Sequence, residues 1–223
     1  MFKLFLSVYT FVLGVFSADL SLAADKKVSQ EFLVNIENHY RSLNSIKMDV
    51  TKTLKLKLFN KEKQSQGTIQ IKKGGKLRWE TLHPEHTLIV IEPHVVWVVD
   101  YPLDDERVNV IKASHPQKSQ PQAVVSFLMG QGKISDAFTL VSKNKEKGDL
   151  VNLRLQPKSE SEQMKWLTLQ VSQESKDIRK LSYEDAVENI TELEFKNIIS
   201  NIELDESQFK FEVPENADVT QID

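Results

Sequence analysis

The chain has 223 residues, a formal net charge of −3 and a pI near 6.0, so it lacks the basic surplus that general nucleic-acid binding draws on. Its 40% hydrophobic and 27% charged residues exclude a disordered chain and suit one domain with a substantial core. Cysteine is absent, which excludes disulfides, thiolate metal sites and cysteine nucleophiles.

The N-terminus places Lys3 before an apolar run from Leu4 to Phe16 and then Ser21-Leu22-Ala23-Ala24. This is the pattern of a cleaved secretory signal peptide over residues 1–24, and the run is shorter than the roughly 20 residues a membrane span needs. Residues 25–223 are expected to form a single exported domain.

Val28, Phe32, Ile36 and Tyr40 recur every fourth residue, which predicts a helix from about Lys26 to Arg41 with one apolar stripe. From Ser45 to Leu58 the period becomes two: Ile46, Met48, Val50, Leu54, Leu56 and Leu58 share one face, and only Lys52 breaks the alternation. That is a long strand with one wet face. Shorter strands follow at Thr68 to Lys72, Lys76 to Thr81, Thr87 to Glu92, Val95 to Asp100 and Glu106 to Ile111, with turn chemistry at Gly74-Gly75, His83-Pro84-Glu85, Pro93-His94 and Tyr101-Pro102-Leu103-Asp104.

Pro121 suits the first turn of a helix, and Val124, Val125, Phe127, Leu128 and Met129 crowd a short apolar segment ended by Gly130 and Gly132. Strands resume at Phe138 to Lys143, Leu150 to Gln156, Lys165 to Val171, Ile178 to Glu184 and Ile190 to Lys196, and Phe209, Phe211 and Val213 alternate before Pro214. The expected fold is mainly β: ten or eleven antiparallel strands, an N-terminal helix and a short mid-chain helical insertion. Such a sheet buries one face, and two helices are a thin covering for it. An incompletely covered concave apolar face is a binding cavity for an apolar ligand.

His83, His86 and His94, with Glu80 and Glu85 nearby, match no metal-ligand spacing, and Asp104, Asp105 and Glu106 lack the alternate-residue spacing of a calcium loop. No nucleophile elbow, zinc-protease motif or phosphate-binding glycine loop is present. Neither a metal, a cofactor nor an enzymatic activity is expected.

Four segments, in order, resemble the outer-membrane lipoprotein carrier protein (LolA) family. They are GTIQIKKGGKLRWE (Gly67 to Glu80), IVIEPHVVWVVDYPLDDERVNV (Ile89 to Val110), PQAVVSFLMGQGKISDAFTL (Pro121 to Leu140) and FKFEVPENADV (Phe209 to Val219). The resemblance implies a half-open β-barrel lidded by the N-terminal and mid-chain helices. It further implies a periplasmic carrier that shields the acyl chains of lipoproteins between an inner-membrane ABC transporter and an outer-membrane receptor. On that reading Ile36, Tyr40, Met48, Val50, Leu77, Trp79 and Trp97 line the cavity, and Val124, Val125, Leu128 and Met129 form the lid. Lys73 stands where the family carries an arginine latch and Gly74 where it carries proline; lysine has no planar fork, so a latch there is weaker or differently made. The related receptor is itself a lipoprotein, and without a cysteine this chain reads as the soluble carrier, a monomer. The alternative is a related periplasmic protein that binds or senses another lipid or glycolipid, with a hydrolase a more distant option.

Overall fold

The computed structural model describes residues 28–102, 107–114, 120–160 and 163–222. The signal-peptide segment, the helix start at Lys26 and the acidic turn Asp104-Asp105-Glu106 lie outside the described residues. Twelve strands form one open sheet: β1 Ser45–Leu56, β2 Lys61–Lys72, β3 Lys76–His83, β4 His86–Glu92, β5 Val95–Tyr101, β6 Val108–Ala113, β7 Phe138–Lys145, β8 Leu150–Pro157, β9 Trp166–Ser172, β10 Ile178–Glu184, β11 Ile190–Ser200 and β12 Ala217–Ile222. Across the sheet they run β12-β6-β5-β4-β3-β2-β1-β11-β10-β9-β8-β7. Among the described residues three α-helices accompany it: α1 over 28–42, α2 Gln120–Leu128 and α3 Ile134–Ala137.

All pairs are antiparallel except β12 with β6. Residues directly opposed across a ladder share a face, so the registers trace each face through the sheet. Ile46, Met48 and Val50 on β1 oppose Ile71, Ile69 and Gly67 on β2; Ile71 and Ile69 oppose Leu77 and Trp79, which oppose Ile91 and Ile89. These in turn oppose Val96 and Val98, and Val98 opposes Ile111. This is the face the helices cover, and we call it concave. Its core joins Leu33, Ile36 and Tyr40 of α1 and Val124 and Phe127 of α2 to the inward rows of β1–β3 and β7–β11.

The opposite, convex face carries a second core of Leu88, Val90, Val99, Val108 and Val110 with Trp97, Tyr101 and Phe211 against it. After β11 the chain crosses this face as a strap containing a 3-10 turn, Glu206–Phe209, capped by the Asp205 side chain accepting from the Ser207 N–H at 2.8 Å. Phe209 is 1% exposed. The Lys72 ammonium donates to the Leu204 carbonyl at 2.7 Å, and Lys72 and Lys76 both pair with Glu206, holding its carboxyl down at about 2. The strap delivers the chain to the free side of β6 running in the same direction, hence the one parallel pair.

The expected mainly-β half-barrel is the fold observed, with twelve strands in place of ten or eleven. β2 begins at Lys61 instead of Thr68, because its polar first half is recruited by continuous pairing with β1 from Leu56↔Lys61 to Ser45↔Lys72. Phe209, Phe211 and Val213 are not a strand: the first two anchor the strap, and the last strand is β12.

Candidate functional site

α1 is fixed to the sheet by its own polar residues. The Tyr40 hydroxyl accepts the Ile178 N–H at 3.0 Å inside the core, and burial pushes that phenol well above its ordinary range. One residue earlier, His39 Nε2 meets Asp177 Oδ1 at 3.0 Å. Burial opposes ionisation of Asp177, but hydrogen bonds from His39 and Ser175 and the charge of Arg179 outweigh it, so its carboxyl sits below the usual range. Glu37, 3% exposed, accepts the Ser135 N–H at 2.9 Å and so ties α1 to α3.

α2 is held differently. Its C-terminus closes as a Schellman motif, with Gln131 N–H donating to Ser126 O and Gly130 N–H to Phe127 O, both at 2.9 Å, and Gly130 at φ +69°. A Cβ on Gly130 would stand 2.7 Å from Tyr40 O, so α2 ends in backbone contact with α1. Gln131 packs against Gly75 in the β2–β3 turn, where a Cβ would meet its amide nitrogen at 2.5 Å. Phe127 lies 5.2 Å from Tyr40, ring to ring.

Ile36, Tyr40, Met48, Val50 and Leu77 are buried in one cluster, with Trp79 half-buried at its edge. Val124, Leu128 and Met129 are buried in the same cluster and Val125 packs against it. Trp97 is not among them. It opposes Val90, whereas Trp79 opposes Ile89, so the two tryptophans lie on opposite faces; Trp97 packs on Phe211 at 5.3 Å beneath the strap and donates to Glu92 at 3.2 Å. Lys73 is exposed, and among the described residues its ammonium makes no hydrogen bond or ion pair. The segment after α2 meets this turn through Gly75 and Gln131.

The sequence reading placed Ile89, Ile91, Val96, Val98 and Ile111 in strands without assigning them to the site. On the concave face they continue the row beyond Trp79 and stay part-exposed, Val98 at 36% and Ile111 at 38%. Strand register, not strand periodicity, identifies them.

On the convex side, Glu80 lies between Arg78 and His86 at 3.0 Å each, and the His86 ring stacks on Tyr101 at 4.3 Å. Burial opposes ionisation of Glu80, but these two partners hold its carboxyl below the usual range. His83 ends β3 and His94 lies in the β4–β5 turn, at opposite ends of β4, a strand of about 20 Å at its usual rise. Among the described residues no group of three or more metal-type side chains gathers, and no helix is long and apolar enough to cross a membrane.

Residues 41–212 fit the family model described as outer membrane lipoprotein carrier protein LolA. The chain belongs to this family. Among curated LolA-family relatives, the outer-membrane lipoprotein carrier protein of Pseudomonas paraeruginosa is 30% identical over 71% of this chain and 72% of its own length. That of Dechloromonas aromatica is 28% identical over 82% and 85%. A solved structure of an uncharacterised conserved protein from Thermus thermophilus superposes with a TM-score of 0.54 over 87% of this chain and 99% of its own, at 15% identity. That last likeness concerns the fold alone.

Proposed function

We propose that this chain is a periplasmic carrier that takes up the acyl chains of lipoproteins on its concave face and moves them from an inner-membrane ABC transporter to an outer-membrane receptor. The observation that carries the reading is the part-exposed row Trp79, Ile89, Ile91, Val96, Val98 and Ile111, continuous with the core beneath α2. Membership of the LolA family supports it.

An acyl anchor leaving a bilayer unaided exposes its methylenes at about 0.8 kcal/mol each. The row supplies replacement apolar surface at the rim, and Ile36, Tyr40, Met48, Val50 and Leu77 supply it beneath the helices once α2 swings away. In this scheme α1, tied to the sheet through Tyr40 and His39, is the fixed wall. α2, with Val124, Val125 and Leu128 packed against the core and Met129 following it there, turns about Gly130. Export depends on residues 1–24 acting as a cleaved signal.

The test is to isolate the protein from a periplasmic extract under native conditions and identify its cargo by mass spectrometry. A triacylated lipoprotein is the expected finding. Phospholipid or glycolipid without lipoprotein would overturn the lipoprotein reading and favour a carrier or sensor of free lipid.

A further inference from the structure

The β1–β2 hairpin outruns β3. β1 and β2 stay paired to Leu56↔Lys61, but β3 leaves β2 at Gln66↔His83. Residues 61–65 therefore extend about 15 Å past the β3–β4 turn at the usual strand rise. At the tip, Leu58 is 80% and Phe59 69% exposed, in a turn closed by Asn60 N–H donating to Lys57 O at 3.3 Å with Asn60 at φ 46°. The β10–β11 turn stands at the same end of the sheet and is tied to the hairpin by Lys57 N–H donating to Asn189 Oδ1 at 3.1 Å. It adds Val187, 56% exposed.

On the side of β2 that β3 leaves free the hairpin is basic around this apolar tip, whereas the β10–β11 turn on its other side carries Glu184, Asp185 and Glu188. Residues 52–63 contain Lys52, Lys55, Lys57, Lys61 and Lys63 against Glu62 alone, in a chain whose net charge is −3. Lys55 is paired with Glu192 at 3.1 Å and Lys57 with Glu188 at 3.8 Å, while among the described residues Lys52, Lys61 and Lys63 have no acidic partner. Two bulky apolar side chains beside the unpaired Lys52, Lys61 and Lys63 match the boundary of an anionic bilayer, where the apolar tip enters the headgroup layer and the lysine stems let their ammonium groups reach phosphate. A protein partner fits less well, because a hairpin end presents far less than the roughly 800 Å² per side of a specific interface.

We propose that the β1–β2 hairpin tip is a reversible docking element for an anionic phospholipid surface. Leu54 and Leu56 are half-buried on the same strand face as Ile46, Met48 and Val50, so the apolar row of the concave face runs out to the tip that docks. Docking itself does not depend on the cargo reading.

The experiment is flotation of the purified, cargo-free protein with vesicles of phosphatidylglycerol and phosphatidylethanolamine, against vesicles of phosphatidylcholine alone. The protein is expected to float with the anionic vesicles, and raising NaCl to about 0.5 M is expected to release it. Leu58→Glu/Phe59→Glu and Lys61→Glu/Lys63→Glu are each expected to lower vesicle binding about tenfold or more. All four side chains are exposed, so thermal melts matching the parent confirm folding, and the lysine pair carries the test should the tip variant misfold. The proposal is overturned by no flotation of the parent, by equal binding to phosphatidylcholine, by unchanged binding of the folded variants, or by binding only to vesicles that hold membrane proteins.

Discussion

Tyr40 spends its hydroxyl on a backbone N–H that has nowhere else to go. Replacing it with phenylalanine leaves the Ile178 N–H buried and unsatisfied, so Tyr40→Phe is expected to lower unfolding free energy by about 1–3 kcal/mol in urea titration. A loss below that range would mean that water reaches the site. Asp177 carries the matching pH dependence. Its carboxyl is held below the ordinary range, so the ionised form contributes stability above that range, and the contribution is lost as pH falls through the depressed value. Acid-unfolding curves of Asp177→Asn are therefore expected to lie below the parent near neutrality and to converge with it in acid. Residue types and periods put Ile36, Tyr40, Met48, Val50, Leu77 and Trp79 on apolar stripes in the sequence, and the fold gathers them in one cluster. They could not separate Trp97 from Trp79, because a period of two fixes alternation within a strand and leaves open which face turns inward. Only the pairing of Val90 with Trp97 decides that. His39 and Glu37 carried no signal at all, since their partners lie 138 and 98 residues away.

At the scale of elements, α1 and α2 cover the same core with different attachments. α1 is bound to β9–β10 by Tyr40 and His39 and to α3 by Glu37, whereas α2 turns over at Gly130 against Tyr40 O. Gly130→Ala asks a side chain to occupy a left-handed conformation 2.7 Å from a carbonyl. Hydrogen exchange is expected to show amides 120–129 exchanging faster in this variant than in the parent, with β8 and β9 unchanged. Uniform protection loss across the sheet would show that α2 and the sheet open as one unit. The end of α2 was readable from Gly130 and Gly132. α3 was not, because four residues between the end of α2 and β7 are too few to show a helical period.

For the whole molecule, one sheet serves two cores, and the strap seals the second. Phe209→Ala is expected to cost about 3–5 kcal/mol, the range for emptying a phenylalanine site in a packed core, and to leave cargo binding on the concave face intact once the protein is folded. β12 was invisible in sequence because Asp218, Thr220 and Gln221 give a polar edge strand, and its parallel partner β6 lies more than a hundred residues earlier. The two-sided use of β4–β6 was hidden for the opposite reason: both faces are largely apolar, so composition gives no sign of which is core and which is site. The central claim is that acyl chains lie on the concave face, and a photo-crosslinking residue placed on either side of one strand pair tests it. Introduced at Val98, it is expected to label the acyl chains of bound cargo, and at Lys112, across the sheet on the face of Trp97, to label none. Equal labelling from both positions, or labelling from Lys112 alone, would contradict the account.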